Sequence, residues 1–239
     1  MTGESNPFWF PGRWLGGLSL ILSPVLMLTG ILLRINYNYF FPEQLKAFDE
    51  NPLLITTAYS LFVTGNILLW PAVITIARLI GLQKPVWGIT GGAMVMFGLF
   101  ARTFHGGVDH LAFQLVNIHG VDAAVETIAE SYGAYYTVSI FTPLILFGWI
   151  VLAIGGYISK TLTLPGSIGL AFMSALMLGV LKGSSVMSVI AVSGLCVAFI
   201  PLGVRVLKEG PKPTLKQICF WSILTLISLF LLFLLGQAG

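Results

Sequence analysis

The sequence predicts an all-α integral membrane protein: a seven-transmembrane helix bundle forming a single domain over residues 1–239. Three observations lead there. Apolar residues make up 56% of the chain and charged residues only 9%, whereas a soluble domain carries about 25% charged residues. The apolar residues gather in runs able to cross roughly 30 Å of hydrocarbon. The basic residues between those runs are unevenly shared between the two sides. Together these exclude an ordinary cytosolic or secreted domain, a disordered chain and a nucleic-acid binder.

Seven runs follow in order: Trp14–Leu33, Leu53–Leu79, Val86–Val108, Tyr132–Ile158, Gly166–Leu181, Val186–Val206 and Ile218–Leu235. The fifth is the shortest. The first lacks a basic segment before it and a cleavage site after it, so it is expected to be retained as a span. Pro24, Pro71, Pro143 and Pro201 fall within runs, where each removes a backbone donor and bends its helix. Gly88, Gly91, Gly92 and Gly98 recur at helix-packing spacing. Such glycine-rich faces suit close contact within the bundle, or with a second copy or another membrane subunit. Spans one and five share a weak echo: Leu26-Met27-Leu28, Gly30 and Arg34 against Leu176-Met177-Leu178, Gly179 and Lys182. Parallel repeats would produce it, and so would chance.

Orientation follows from the loops. Arg13, Arg78, Lys84, Lys160, Arg205, Lys208, Lys212 and Lys216 fall on one side, and Arg34, Lys46, Arg102 and Lys182 on the other. The richer side is expected to be cytoplasmic. Glu43, Asp49, Glu50, Asp109, Asp122, Glu126 and Glu130 then lie outside, with only Glu4 and Glu209 inside. The N-terminus is cytoplasmic and the C-terminus outside, in a multi-pass protein of the plasma or inner membrane. Trp9, Trp14, Trp87 and Trp221 form an inner aromatic belt, and Tyr37, Tyr39, Tyr132 and Tyr135 an outer one.

Chemistry concentrates between Arg102 and Glu130. These residues hold all three histidines, His105, His110 and His119, and four of the nine carboxylates. Arg102 lies about 24 Å into span three. On a continuous helix Arg102, His105 and Asp109 share one face, with His110 about 100° away. Gly106 and Gly107 allow a kink there. Asn117–Ser131 reads as a short interfacial helix between spans 3 and 4, a lid carrying His119 and Glu126.

Three readings of this cluster stand open. His105, Asp109, His110 and His119 are candidate ligands for a divalent transition metal, zinc or nickel. Alternatively, His105 and Asp109 form an acid–base pair, with Arg102 stabilising negative charge. In the third, Arg102 pairs with Asp109 and the cluster is structural. Arg34, Lys182 and Glu126 are candidate substrate contacts at the rim. The segment Gly107-Val108-Asp109-His110-Leu111-Ala112-Phe113 resembles the glycine-x-Asp-His-Leu segment of nickel-linked hydrogenase- and urease-accessory membrane proteins, a resemblance that implies metal. It covers seven residues. Nickel/cobalt permeases also place a His before an Asp-His pair, with four intervening residues where this chain has three.

Metalloprotease, nucleophile-elbow and phosphate-loop motifs are absent, and the last span has no lysine for a retinal Schiff base. Cys196 and Cys219 both lie in apolar runs and form no CxxC pair. The ionisable groups cluster at one end of the spans, with Asn66 the one central amide. This asymmetry favours a membrane-embedded enzyme or binding protein for a lipid-like or amphipathic small molecule. The alternatives are a small transporter, of a transition metal or other solute, and a non-catalytic membrane partner subunit.

Overall fold

The computed structural model describes residues 9–131, 136–209 and 213–238. It is 85% helix, and no strand occurs among the described residues. The helices are α1 (Gly12–Leu33), α2 (Phe41–Glu50), α3 (Pro52–Gly81), α4 (Pro85–His119), α5 (Val121–Ser131), α6 (Tyr136–Ile158), α7 (Leu164–Ala171), α8 (Val186–Lys208) and α9 (Leu215–Ala238). Tyr132, Tyr135, Lys212 and Glu4, used in the topological reading, lie outside the described residues.

Among the described residues, five helices are long and apolar enough to cross a membrane: Gly12–Leu33, Pro52–Gly81, Val138–Ile158, Val186–Lys208 and Leu215–Gly236. This is compatible with a multi-pass membrane protein. Pro24, Pro71, Pro143 and Pro201 all sit inside such helices. The third predicted span belongs to α4, whose 35 residues extend about 52 Å. Its glycines and Arg102 dilute its hydropathy, and it is not among the five.

The fifth predicted span is not one helix. After eight residues of α7 the chain tightens into a 3₁₀ turn at Phe172–Ala175. Residues 176–185 then run on without helical structure, as a strap. The echo between spans one and five is therefore not structural: its first copy is helical and its second lies in the strap. Hydropathy over Gly166–Leu181 registered apolar side chains, not the backbone. The strap's backbone finds its partners on other elements.

The chain forms two compact units, 1–207 and 208–239. In the first, α1 packs on α3, α3 on α4, and α4 on α6. The α1–α3 contact is close: a Cβ at Gly30 would lie 2.5 Å from the Ala58 carbonyl oxygen. A Cβ on Gly98 of α4 would collide with Ile145 of α6. Gly88, Gly91, Gly92 and Gly98 are buried, so this glycine face is occupied within the chain itself. Leu20, Met27, Leu69, Leu99, Trp149 and Phe199 are among the fully buried core side chains. The second unit is the α9 helix, whose apolar window has a mean hydropathy of 2.7.

One end of the first unit carries a small cap. The connection between the first two apolar runs forms the helix α2. Pro42 stands in its first turn with Glu43, and it buries Gln44, Leu45, Ala47 and Phe48. With α5 and the far end of α4 it encloses a second core of Leu45, Phe48, Phe113, Val116 and Ile128, together with Val180 and Leu181 of the strap. The predicted lid helix begins later than expected. α4 continues through Gly106 and Gly107 to His119, and Gly120 ends it at a φ of 81°. His119 thus closes α4, while Asp122 and Glu126 belong to α5.

Candidate functional site

Where the cap meets the bundle, α1, α3, α4 and the strap surround a cavity with about 50 Å³ of solvent-sized space. That is room for a few waters or a small ionic group. Arg34, Tyr59, Asn66, Arg102, His105, Asp109 and Lys182 are among its lining residues. The helical spacing does what the sequence required of it: Arg102, His105 and Asp109 are all buried on one face of α4.

Arg102 and Asp109 are not ion-paired with each other. Each holds a different point on the strap. Arg102 Nη2 donates to the Leu176 carbonyl at 3.3 Å, and the Leu181 N–H donates to Asp109 Oδ1 at 2.5 Å. Two further bonds anchor the strap: Gly183 N–H to the Tyr39 carbonyl at 2.9 Å, and Ser184 Oγ to the Ile31 carbonyl at 2.8 Å. Non-helical backbone in an apolar bundle requires such partners, since unpaired peptide groups cost several kcal/mol in hydrocarbon. Leu181 is fully buried with a φ of 49°, a left-handed conformation that costs a non-glycine residue about 1–2 kcal/mol. Gly183 is required by close approach, because a Cβ there would lie 2.6 Å from Gln44 Nε2.

Arg34 is the unusual group. Its side chain is 97% covered, at 3% exposure. Its guanidinium lies 4.0 Å from the Tyr59 ring centre and 5.0 Å from that of Phe62, a cation–π setting. Yet Arg34 Nε and Nη1 have no hydrogen-bond partner, nor has Arg102 Nε. Asn66 donates to the Phe62 carbonyl at 2.8 Å while its Oδ1 is buried without a partner. Half-buried Lys182 places Nζ 5.3 Å from the Tyr39 ring centre. Partial burial holds the Tyr39 phenol above its ordinary value, against the opposing pull of Arg34, and its hydroxyl lies 3.2 Å from Met177 Sδ. Around the cavity stand two arginines, Arg34 and Arg102, one lysine, Lys182, one histidine, His105, and one carboxylate, Asp109.

Of the predicted site residues, Arg34, Arg102, His105, Asp109 and Lys182 come together here. His110, His119 and Glu126 do not: all three are exposed. His110 turns to a neighbouring hollow, as its 100° offset from Asp109 implies. Among the described residues no group of three or more His, Cys, Asp or Glu side chains is placed to hold a metal ion. Tyr59 and the strap backbone were missed. Tyr59 carried no signal beyond an aromatic in an apolar run, and the strap looked like a short span.

Compared with known proteins, the chain matches no family model, no curated protein and no solved structure. The likeness of residues 107–113 to nickel-linked segments therefore stands alone.

Proposed function

We propose that this is a membrane-embedded binding protein whose cavity receives the anionic head of a lipid-like or amphipathic small molecule. The observation that carries this reading is the pair of buried guanidinium groups with unpaired N–H donors, set beside a lysine, a histidine and a single carboxylate. A buried donor without a partner costs about 1–3 kcal/mol, more when charged. An oxyanion in the cavity that both Arg34 and Arg102 line would offer their free donors an acceptor. A zinc or nickel ion would face the same guanidinium groups with only His105 and Asp109 to hold it, so the charge balance favours an anion.

Topology supports access from one side. α4 is long enough to cross, and α7 with its 3₁₀ turn and the strap makes a seventh, broken crossing. The basic-residue asymmetry supports an N-terminus inside and the cavity toward the outer face. Enzymatic use of His105 and Asp109 as an acid–base pair competes with Asp109's role on the strap. A second reading, transport, draws on the broken crossing beside the cavity and on Asn66, since discontinuous spans line solute sites in carriers.

Thermal unfolding in a non-ionic detergent tests the main reading. Dodecyl phosphate is expected to raise the Tm, by an amount equivalent to about 2.7 kcal/mol at a hundredfold excess over Kd. Uncharged dodecyl maltoside at matched concentration is not. Arg34→Gln is expected to abolish the shift. An equal shift in that variant, or none in the native protein, overturns the proposal. Flux of the alkyl phosphate across proteoliposomes separates carrier from static binder.

A further inference from the structure

Beside the polar cavity lies a larger hollow of about 700 Å³ between α2, α3 and α4, within the range of small-molecule sites. The two share Tyr59, Val63, Gly106 and Asp109, so they meet along one wall. Their characters differ. The cavity is cationic, and the hollow has no basic side chain other than His110. Phe113, stacked on Phe48 with ring centres 4.6 Å apart and edge-on to Tyr59 at 5.0 Å, closes the cap end of the hollow. Leu53, Ser60 and Thr64 on its α3 edge are exposed. Thr64 spends its hydroxyl on the Ser60 carbonyl at 2.8 Å, which leaves its methyl as the contact surface.

We infer that this groove holds the alkyl tail of the same amphiphile whose anionic head occupies the cavity, the ligand class being single-chain alkyl phosphates or carboxylates. The inference rests on the anion-binding reading above. Charge complementarity sets the head at Arg34 and Arg102, and continuity past Gly106 leads the tail outward. Gly106 is the doorway residue. A side chain there would come within 3.1 Å of Val63 Cγ2, starting from its Cβ alone, and anything longer would reach across the shared wall. The open α3 edge lets the tail leave toward lipid, so the molecule can enter sideways from the bilayer.

Photo-crosslinking locates the tail. A dodecyl phosphate carrying a mid-chain diazirine is incorporated into zwitterionic nanodiscs with the full-length protein, irradiated, and its adducts mapped by peptide mass spectrometry. Adducts are expected within residues 53–64 and 106–117. Gly106→Leu, and independently Ser60→Trp on the exposed edge of α3, should each reduce them at least about tenfold, while in Ser60→Trp, which lies outside the head cavity, the Tm shift with short-chain butyl phosphate persists. Arg34→Gln should reduce both signals. Adducts spread evenly over lipid-facing helices, or unchanged in both groove variants, overturn the tail site and leave head binding standing. Groove adducts that persist undiminished in Arg34→Gln overturn the head site instead, and with it the joint assignment.

Discussion

Asp109→Ala tests whether the strap is held as the geometry implies. Asp109 Oδ1 accepts the Leu181 N–H at 2.5 Å, in a place where Leu181 is fully buried. Removing the carboxylate strands that N–H, at a cost of about 1–3 kcal/mol. It also releases a leucine from a left-handed backbone worth about 1–2 kcal/mol of strain, so an opened strap has a downhill route away from the native conformation. If local opening governs exchange, 1–3 kcal/mol corresponds to roughly 5- to 150-fold faster amide exchange at Leu181. Asp109→Asn keeps a neutral acceptor and loses only the charge-assisted part, about 1 kcal/mol or fivefold. Hydrogen–deuterium exchange read by mass spectrometry in detergent resolves this when peptides covering 176–185 are compared with peptides from the middle of α8. The graded order Ala, Asn, native at the strap, with α8 unchanged, is the expected result. Unchanged strap exchange in Asp109→Ala would refute the argument. So would equal acceleration in α8, which would mark a general loss of stability.

Further predictions concern packing, pH and topology. Gly30→Leu should destabilise the α1–α3 contact by about 1–3 kcal/mol through overpacking, since even a Cβ there lies 2.5 Å from the Ala58 carbonyl oxygen; thermal unfolding measures it. Tyr39 has its phenol raised above the ordinary value of 10.0 by burial, so its contribution to stability is present below pH 10 and lost as pH rises through the higher folded value. Tyr39→Phe should therefore flatten the alkaline fall in unfolding free energy. Finally, Glu126→Cys in a Cys196→Ala, Cys219→Ala background should react with a membrane-impermeant maleimide from outside intact cells; access from the cytoplasm alone would reverse the topology.

Much of the bundle was legible because hydrophobicity is read residue by residue. α1, α3, α6, α8 and α9 each carry an unbroken apolar run, and their proposed ends differ from the observed ones by a few residues. The shared face of Arg102, His105 and Asp109 was legible for a similar reason: on one helix, spacing alone sets direction. Gly120 was the missed signal for the end of α4. Two adjacent glycines drew attention to 106–107, yet the helix runs through them unbroken, with Gly106 against Val63 and Gly107 exposed.

By itself, then, the sequence determined an all-helical, membrane-compatible chain with the ionisable groups of its spans gathered at one end, because burial of apolar side chains and the helical repeat are local properties. Only the tertiary structure decided that the fifth run breaks into a strap. It alone decided that Arg102 and Asp109 grip that strap rather than each other, and that Arg34, just past the end of α1, is buried in the same cavity with Nε and Nη1 unpaired. Those outcomes depend on hydrogen bonds between residues such as Asp109 and Leu181, which lie 72 positions apart. A bond between such distant positions leaves no periodicity in the chain from which it could have been read.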